Sequence, residues 1–580
     1  MSDDNPDVPA SPSRLHSVAI ASTLAAALLN GGAAEAQQRV THGKVTSKTG
    51  MVVCVSGPAS DAGAAVLKSG GNAIDAAVAT AFALAATYPA AGNIGGGGFI
   101  VVWPGDGRPA MAFDFREKAP AAATQDMFVK PEGRTAHRRV GVPGTVRGLA
   151  LAHEKLGTKP WKELVDPGVR LAAAGFELDP ANASQISELL KDSTKPEHAE
   201  LHRVFDKPGG GDWKPGDRLV QPDLAKSLER VRDRGPDGFY VGETAELIAA
   251  DMKRFDGLIT TADLAAYQAV QREPIRGTYR GYDLVCMPPP CSGGTTLISI
   301  LNILENFEFK KDDRWSPRTL HLFVEAMKRG YRDRARYLGD PDFSEIPTHF
   351  YSKAHAKEWA KGINESFATP SKDLAGDIRL TQRESENTTH LSVVDKNGMC
   401  VSLTYTLESS FGSRVVAKGT GFILNDEMND FNWLPGVTDT TGRIGTPPNL
   451  LAPGKRMLSS MCPTIVLKDG KPWLVTGSPG GRTIINTVLQ VISGMIDFGM
   501  TPQEAVDAPR IHHQWFPDNI RAEASFFKQS PKLVEELEGM GHTFDRVAKQ
   551  GDAHSIWINP ATGEAESGID PRISGKASVP

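Results

Sequence analysis

The residues with the sharpest chemical promise are Asn387-Thr388-Thr389-His390. A threonine hydroxyl is a weak nucleophile until a base takes its proton. One solution places it at a chain terminus, where its own α-amine, with a reference pKa of about 8, does so. Such an enzyme must first cut its own backbone. Attack of the Thr388 hydroxyl on the Asn387 carbonyl turns the amide into an ester, and hydrolysis of that ester frees the amine. Taken alone, Asn-Thr-Thr reads just as well as a polar strand start or an NxT sequon, so its company must decide.

Other chemistries lack their residues. There is no GxSxG, HExxH or GxxxxGK[ST] pattern, which removes the α/β-hydrolase, zincin and P-loop readings. Gly477-Ser478-Pro479-Gly480-Gly481-Arg482-Thr483 is superficially like a phosphate loop but has no lysine. His198 and His202, with Glu200 between them, could aim two imidazoles at a metal from a helix, yet no third ligand is identifiable and a solvated helix is expected. The five cysteines, Cys54, Cys286, Cys291, Cys400 and Cys462, have neither CxxC nor CxxH spacing and are expected to be core thiols. No metal or organic cofactor is called for.

The elements that must position Thr388 follow from periodicity. The chain changes character after Asn387. Thr389–Val394 alternates, Asp395-Lys396-Asn397-Gly398 supplies a turn, and Cys400–Leu407 alternates again, which predicts a β-hairpin. Thr388, His390 and Ser392 then share one face, as do Ser402, Thr404 and Thr406. A second hairpin is predicted from Pro463–Leu467 and Pro472–Thr476, leading through Gly477–Gly481 into a helix with Ile484, Val488, Val491, Ile492 and Met495 on one side. Thr501-Pro502-Gln503-Glu504 has the cap, N1 proline and N3 glutamate of another helix start. Upstream, β-branched runs at Met51–Ser56 and Phe99–Trp103 flank an Ala-rich span, Asn72–Tyr88. Asp75 marks that span as a helix buried in protein rather than lipid. Residues 145–385 read as mostly helical, with periodic stretches at Val146–Leu156, Thr244–Phe255 and Arg318–Leu338, interrupted by a rigid loop at Pro288-Pro289-Pro290. Strand pairs beside long helices predict an α/β (α+β layered) fold.

Composition sets the outer limits. With 580 residues, 40% hydrophobic and 23% charged, the chain is neither disordered nor fibrous. Lys+Arg 64 against Asp+Glu 69 is too balanced for a protein that neutralises many phosphates, so no nucleic-acid partner is expected. Residues 1–36 read as a signal peptide: Arg14 and His16 precede an apolar run, Val18–Leu29, and Ala34-Glu35-Ala36 offers a cleavage site. The twelve residues of that run would reach only about 18 Å, against a hydrocarbon core of about 30 Å, so no stable membrane span is predicted.

The stretch TTHLSVVDKNGMCVSLTYTLESSFGS resembles the γ-glutamyltranspeptidase (glutathione hydrolase) family. So do DFRE at Asp114–Glu117, MPPPCSGG at Met287–Gly294, LNDEMNDF at Leu424–Phe431, LSSMCPTIV at Leu458–Val466 and GSPGG at Gly477–Gly481. The resemblance runs in order from about Gly43 to Arg572. It implies an N-terminal-nucleophile αββα sandwich formed jointly by two autoproteolytic fragments, 37–387 and 388–580, exported to the periplasm. It further implies that Thr388 is the nucleophile, freed by cleavage after Asn387, that Thr406 assists it, and that Gly480 and Gly481 form the oxyanion hole. Two amides without side chains at a helix start suit that task. Arg116 matches the α-carboxylate clamp, supported by Ser459 and Ser460, a task suited to a planar guanidinium fork. Glu408, Glu427 and Asp430 match positions that hold the α-ammonium. Between Pro435 and Lys455, where a lid is expected, some members carry a tyrosine and this chain has Thr441 and Arg443, with Trp433 just upstream.

The implied activity is transfer or hydrolysis of γ-glutamyl groups from glutathione and related amides, with water or an acceptor amino acid or peptide resolving the ester. One alternative is an amidase for glutaryl groups, which lack the ammonium. Glu408, Glu427 and Asp430 are expected to disfavour it, since three acids without a cation would repel one another. A second alternative is an uncleaved binding protein on the same scaffold.

Overall fold

A computed structural model describes residues 43–381, 388–439 and 444–580. The segment 1–36, Asn387, Thr441 and Arg443 lie outside the described residues. Two seven-stranded sheets form the centre, and within each every neighbouring pair is antiparallel. One runs Lys576–Ser578, Gly50–Cys54, Thr389–Asp395, Cys400–Thr406, Gly97–Trp103, Met111–Asp114, Val270–Arg272. The other runs Thr46–Ser47, Ala565–Ile569, His554–Ile558, Lys471–Thr476, Thr464–Lys468, Tyr282–Cys286, Ile275–Tyr279. They lie face to face, with Ser402 Oγ donating to Thr476 O at 2.9 Å and Ser392 Oγ to His554 O at 2.8 Å from one sheet to the other.

Side-chain alternation sorts the two faces of the first sheet. Val52, Cys54, Ile100, Val102, Leu391, Val393, Val401 and Leu403 enter the core beneath helices, while Met51, Val53, Phe99 and Val101 enter the core shared with the second sheet. The Ala-rich helix, Ala73–Thr87, is capped by a reciprocal Asn72/Asp75 box and is buried along its whole length. Small side chains are needed there because it packs against Gly57–Lys68, Trp161–Ala174 and the first sheet at once. On the far side, Gly293–Leu304 and Thr483–Ile496 cover the second sheet, and Pro317–Tyr337 packs on Gly293–Leu304. Helix, sheet, sheet, helix is the layered sandwich that the sequence predicts.

Both predicted hairpins are present, at Thr389–Asp395 with Cys400–Thr406 and at Thr464–Lys468 with Lys471–Thr476. The predicted helix start at Thr501 is present as a capping box with Glu504. The segment 145–385 is mostly helical as predicted over its described residues, with the strands Val270–Arg272, Ile275–Tyr279 and Tyr282–Cys286 set among the helices. His202 contacts Asp206 at 2.8 Å and Ser193 O at 2.9 Å, and Glu200 holds Arg203, whereas His198 is buried. All five cysteines are buried and unbridged. Among the described residues no helix is long and apolar enough to cross a membrane.

Candidate active site

Thr388 stands at the entry of the strand Thr389–Asp395, and Thr406 ends the strand paired with it. The ladder couples Thr389 to Tyr405, so residues 388 and 406 fall opposite each other. Thr406 Oγ1 donates to Thr388 Oγ1 at 3.3 Å, and the Glu408 N–H donates to Thr406 Oγ1 at 2.9 Å. Thr388 is 7% exposed, so the nucleophile candidate is placed by the sheet and not by a loose tail.

Beneath it, the face between the sheets is polar. His390 Nδ1 lies 2.8 Å from Thr404 Oγ1 and Nε2 lies 3.0 Å from Ser392 Oγ. Because the Ser392 hydroxyl donates to His554 O, it accepts from His390, which fixes a neutral ring protonated at Nε2. Burial, with His554 nearby, pushes the His390 pKa well below the ordinary imidazole value. The ring also explains Gly477, where a Cβ would come within 2.3 Å of it.

Gly480 and Gly481 have φ of 125° and 54°, backbone that favours glycine. They directly precede the helix Thr483–Ile496, and neither amide donates to a protein acceptor among the described residues.

Arg116 follows the strand Met111–Asp114 and is held by its backbone: its N–H donates to Asp114 Oδ1 at 3.0 Å and its carbonyl accepts from Tyr267 Oη at 2.8 Å. Its guanidinium donates to the carbonyls of Met457 and Leu458, each at 3.2 Å, and pairs closely with Glu427 and Asp430. Glu117 lies 3.6 Å away. Burial opposes the charge on Arg116, but Glu427, Asp430 and Glu117 outweigh it and hold the guanidinium protonated. For the acids the balance is reversed: burial pushes Glu117 up to about 7 and Glu427 well above the carboxylate range, against the pull of Arg116. Arg116 pairs with Glu427 and Asp430, yet the acids still repel one another: Glu117, Asp430 and Glu408 each help to raise Glu427. Glu408 sits at φ 78°, with Ser409 Oγ 2.5 Å from Oε2.

Ser459 and Ser460 lie on a loop clamped by the proline-rich segment. Ser459 N–H donates to Pro290 O at 3.0 Å, and Ser292 N–H donates to Ser459 O at 2.8 Å.

Every predicted catalytic and substrate residue except Gly480 and the undescribed Asn387 lines one cavity, together with Met461, Arg482 and Ile484. Its volume is about 30 Å³, room for little more than a water, since Arg116 and the acids fill it with their own ion pairs.

The chain is similar to known proteins over most of its length. Residues 59–579 match the family model described as gamma-glutamyltranspeptidase. The chain is 46% identical to the glutathione hydrolase proenzyme of Escherichia coli (strain K12), over 97% of this chain and 98% of that protein. It is 45% identical to the glutathione hydrolase proenzyme of Pseudomonas sp. (strain A14), over 90% of each. Among solved structures, the cephalosporin acylase from Bacillus halodurans superposes with a TM-score of 0.81 at 29% identity, covering 93% of this chain and 97% of that one. Gamma-glutamyltranspeptidase of Helicobacter pylori superposes with a TM-score of 0.53 at 41% identity, covering 56% and 95%.

Proposed function

The chain belongs to the γ-glutamyltranspeptidase family, and from that premise we propose that it is an exported γ-glutamyltransferase and glutathione hydrolase that cuts itself between Asn387 and Thr388. The liberated amine of Thr388 takes the hydroxyl proton as Oγ1 attacks the γ-carbonyl, and the Gly480 and Gly481 amides receive the oxyanion. The amine of the leaving peptide carries the proton away. Water or an acceptor amino acid or peptide then resolves the γ-glutamyl ester. Fragments 37–387 and 388–580 form the working heterodimer, and the Arg14-to-Ala36 leader supports a periplasmic location.

The observation that carries this reading is the meeting, in one cavity, of the paired Thr388 and Thr406 hydroxyls with a guanidinium already balanced by carboxylates. That charge layout suits a substrate end bearing both an α-carboxylate and an α-ammonium. The likeness to a cephalosporin acylase keeps the glutaryl amidase as the second reading. Turnover of γ-glutamyl and glutaryl anilides separates the two, and preference for the glutaryl compound overturns the first. Thr388→Ala is expected to leave a single uncut chain on a denaturing gel and to lower kcat by on the order of 10³-fold or more. An uncut chain with wild-type turnover would sink the mechanism.

A further inference from the structure

The helix Pro317–Tyr337 comes from the part of the chain before Thr388, yet its last turns reach two loops of the active site that lie after it. Tyr331 Oη donates to the carbonyl of Arg482, next to Gly481. Three residues on, on the same helix face, Arg334 Nε donates to Ser292 Oγ at 2.7 Å and Nη2 donates to Ser460 Oγ at 2.8 Å.

Arg334 differs from the other arginines of this helix. Arg329 pairs with Glu325 at 2.5 Å, Arg332 with Asp333 at 3.0 Å and Arg336 with Asp377 at 2.8 Å. Arg334 is 5% exposed, and among the described residues no carboxylate lies within ion-pair distance of it. Burial without a counter-ion is the costliest setting for a charge. It pushes the guanidinium down to about 10, with the more distant Asp430 working the other way.

The direction of the hydrogen bonds says where. A hydroxyl has one proton to give. Ser460 Oγ accepts from Arg334, and Ser459 Oγ accepts from the Met461 N–H at 3.2 Å. Neither hydroxyl proton has a protein acceptor among the described residues, so both are left to point at a ligand. Through Ser292, whose hydroxyl donates to Ser459 O at 2.5 Å, the same guanidinium also holds the backbone of Ser459.

We propose that Arg334 is the positioning residue of the α-carboxylate subsite: it fixes Ser460 as a donor, braces Ser459 through Ser292, and places beside them a positive charge that the substrate's carboxylate completes. The inference rests on the reading of Ser459 and Ser460 as the hydroxyls that meet that carboxylate.

Competitive inhibition of the purified full protein tests it, using L-glutamate, glutarate, which keeps the α-side carboxylate but lacks the amine, and 4-aminobutyrate, which keeps the amine but lacks that carboxylate. Arg334→Met is expected to raise the inhibition constants of L-glutamate and glutarate roughly 10- to 100-fold, the worth of a charge-assisted hydrogen bond. The 4-aminobutyrate constant should stay within about 2-fold. Equal increases for all three would mean a merely structural role, and no increase would mean no role; either overturns the proposal. Should Arg334→Met not fold, Arg334→Lys, which keeps the charge but loses the fork, is read in its place: a smaller loss of the same selectivity supports the proposal and unchanged selectivity overturns it. Ser460→Ala separates the two layers of the argument. If it leaves selectivity intact, the subsite reading itself falls and the proposal with it. If Ser460→Ala erodes selectivity while the Arg334 variants do not, only the role of Arg334 falls.

Discussion

The hairpin that carries Thr388 has two faces held by opposite means. Toward the helices, Leu391, Val393, Val401, Leu403 and Tyr405 are buried in a continuous apolar core. Toward the second sheet, His390, Ser392, Ser402 and Thr404 meet partners of fixed direction: hydroxyl, imidazole and backbone carbonyl. Apolar burial is non-directional and tolerates repacking at roughly constant volume. A buried polar layer tolerates little, since each unmatched group costs its full desolvation. The nucleophile and its partner Thr406 lie at the end of the polar face, so their spacing is inherited from directional bonds, while the hydrophobic face supplies the energy that keeps the strands flat against their helices.

That division can be broken from either side. Leu403→Ala, at a fully buried position, is expected to cost about 2–5 kcal/mol, read as a lower urea midpoint by tryptophan fluorescence, with the KM for a γ-glutamyl anilide unmoved in the folded fraction. A change in KM as large as the change in midpoint would show that the apolar face also sets the site. Ser402→Ala is the matching change on the polar face. Ser402 Oγ donates to Thr476 O and accepts from the Thr464 N–H at 3.1 Å, so its loss strands two groups between the sheets. The expected cost is smaller, about 1–3 kcal/mol, and here kcat should fall along with the midpoint. If Ser402→Ala changes neither midpoint nor kcat, the polar layer is not what spaces the site.

The same contrast explains what could be read from sequence. The two hairpins were legible because alternation and turn residues such as Asp395 and Gly398 are local signals; the Asp395 carboxylate indeed accepts from the Asn397 and Met399 N–H groups. The polar face was legible from the even positions of one strand and their partners on the next. The strand Val270–Arg272 was not, since it pairs with Met111–Asp114, far away in the chain; Tyr282–Cys286 pairs both with distant Thr464–Lys468 and with its neighbour Ile275–Tyr279, and that local hairpin was passed over. Charges announce themselves in a sequence but their neutralising partners do not, which is why the pairing of Arg116 with Glu427 and Asp430 emerged only in three dimensions. Arg334 was missed for the opposite reason. An arginine near the end of an amphipathic helix fits a solvated position, and only the register of Tyr331 and Arg334 against two distant loops shows otherwise.

The smallest expected effect is also the one that tests the polar layer most directly, because it separates the two faces by pH. Unfolded histidine takes up a proton below about pH 6.5, whereas the buried, neutral His390 ring does not, its pKa being pushed well down by burial and by His554. Below that pH the unfolded chain therefore binds more protons than the folded one, so this residue's contribution to stability is lost as pH falls, at a limiting slope of about 1.4 kcal/mol per pH unit. His512, His513 and His542, also buried and with pKa values lowered to about 3, about 4 and about 3, act in the same direction, so the measurement must be a difference. The gap in unfolding free energy between wild type and His390→Gln is expected to narrow as pH is lowered from about 7.5 to about 5. The gap for Leu403→Ala should stay constant across the same range. Parallel curves for His390→Gln would mean that the ring accepts a proton inside the fold, and a layer able to hydrate that charge could not be the dry, directional spacer on which the position of Thr388 depends.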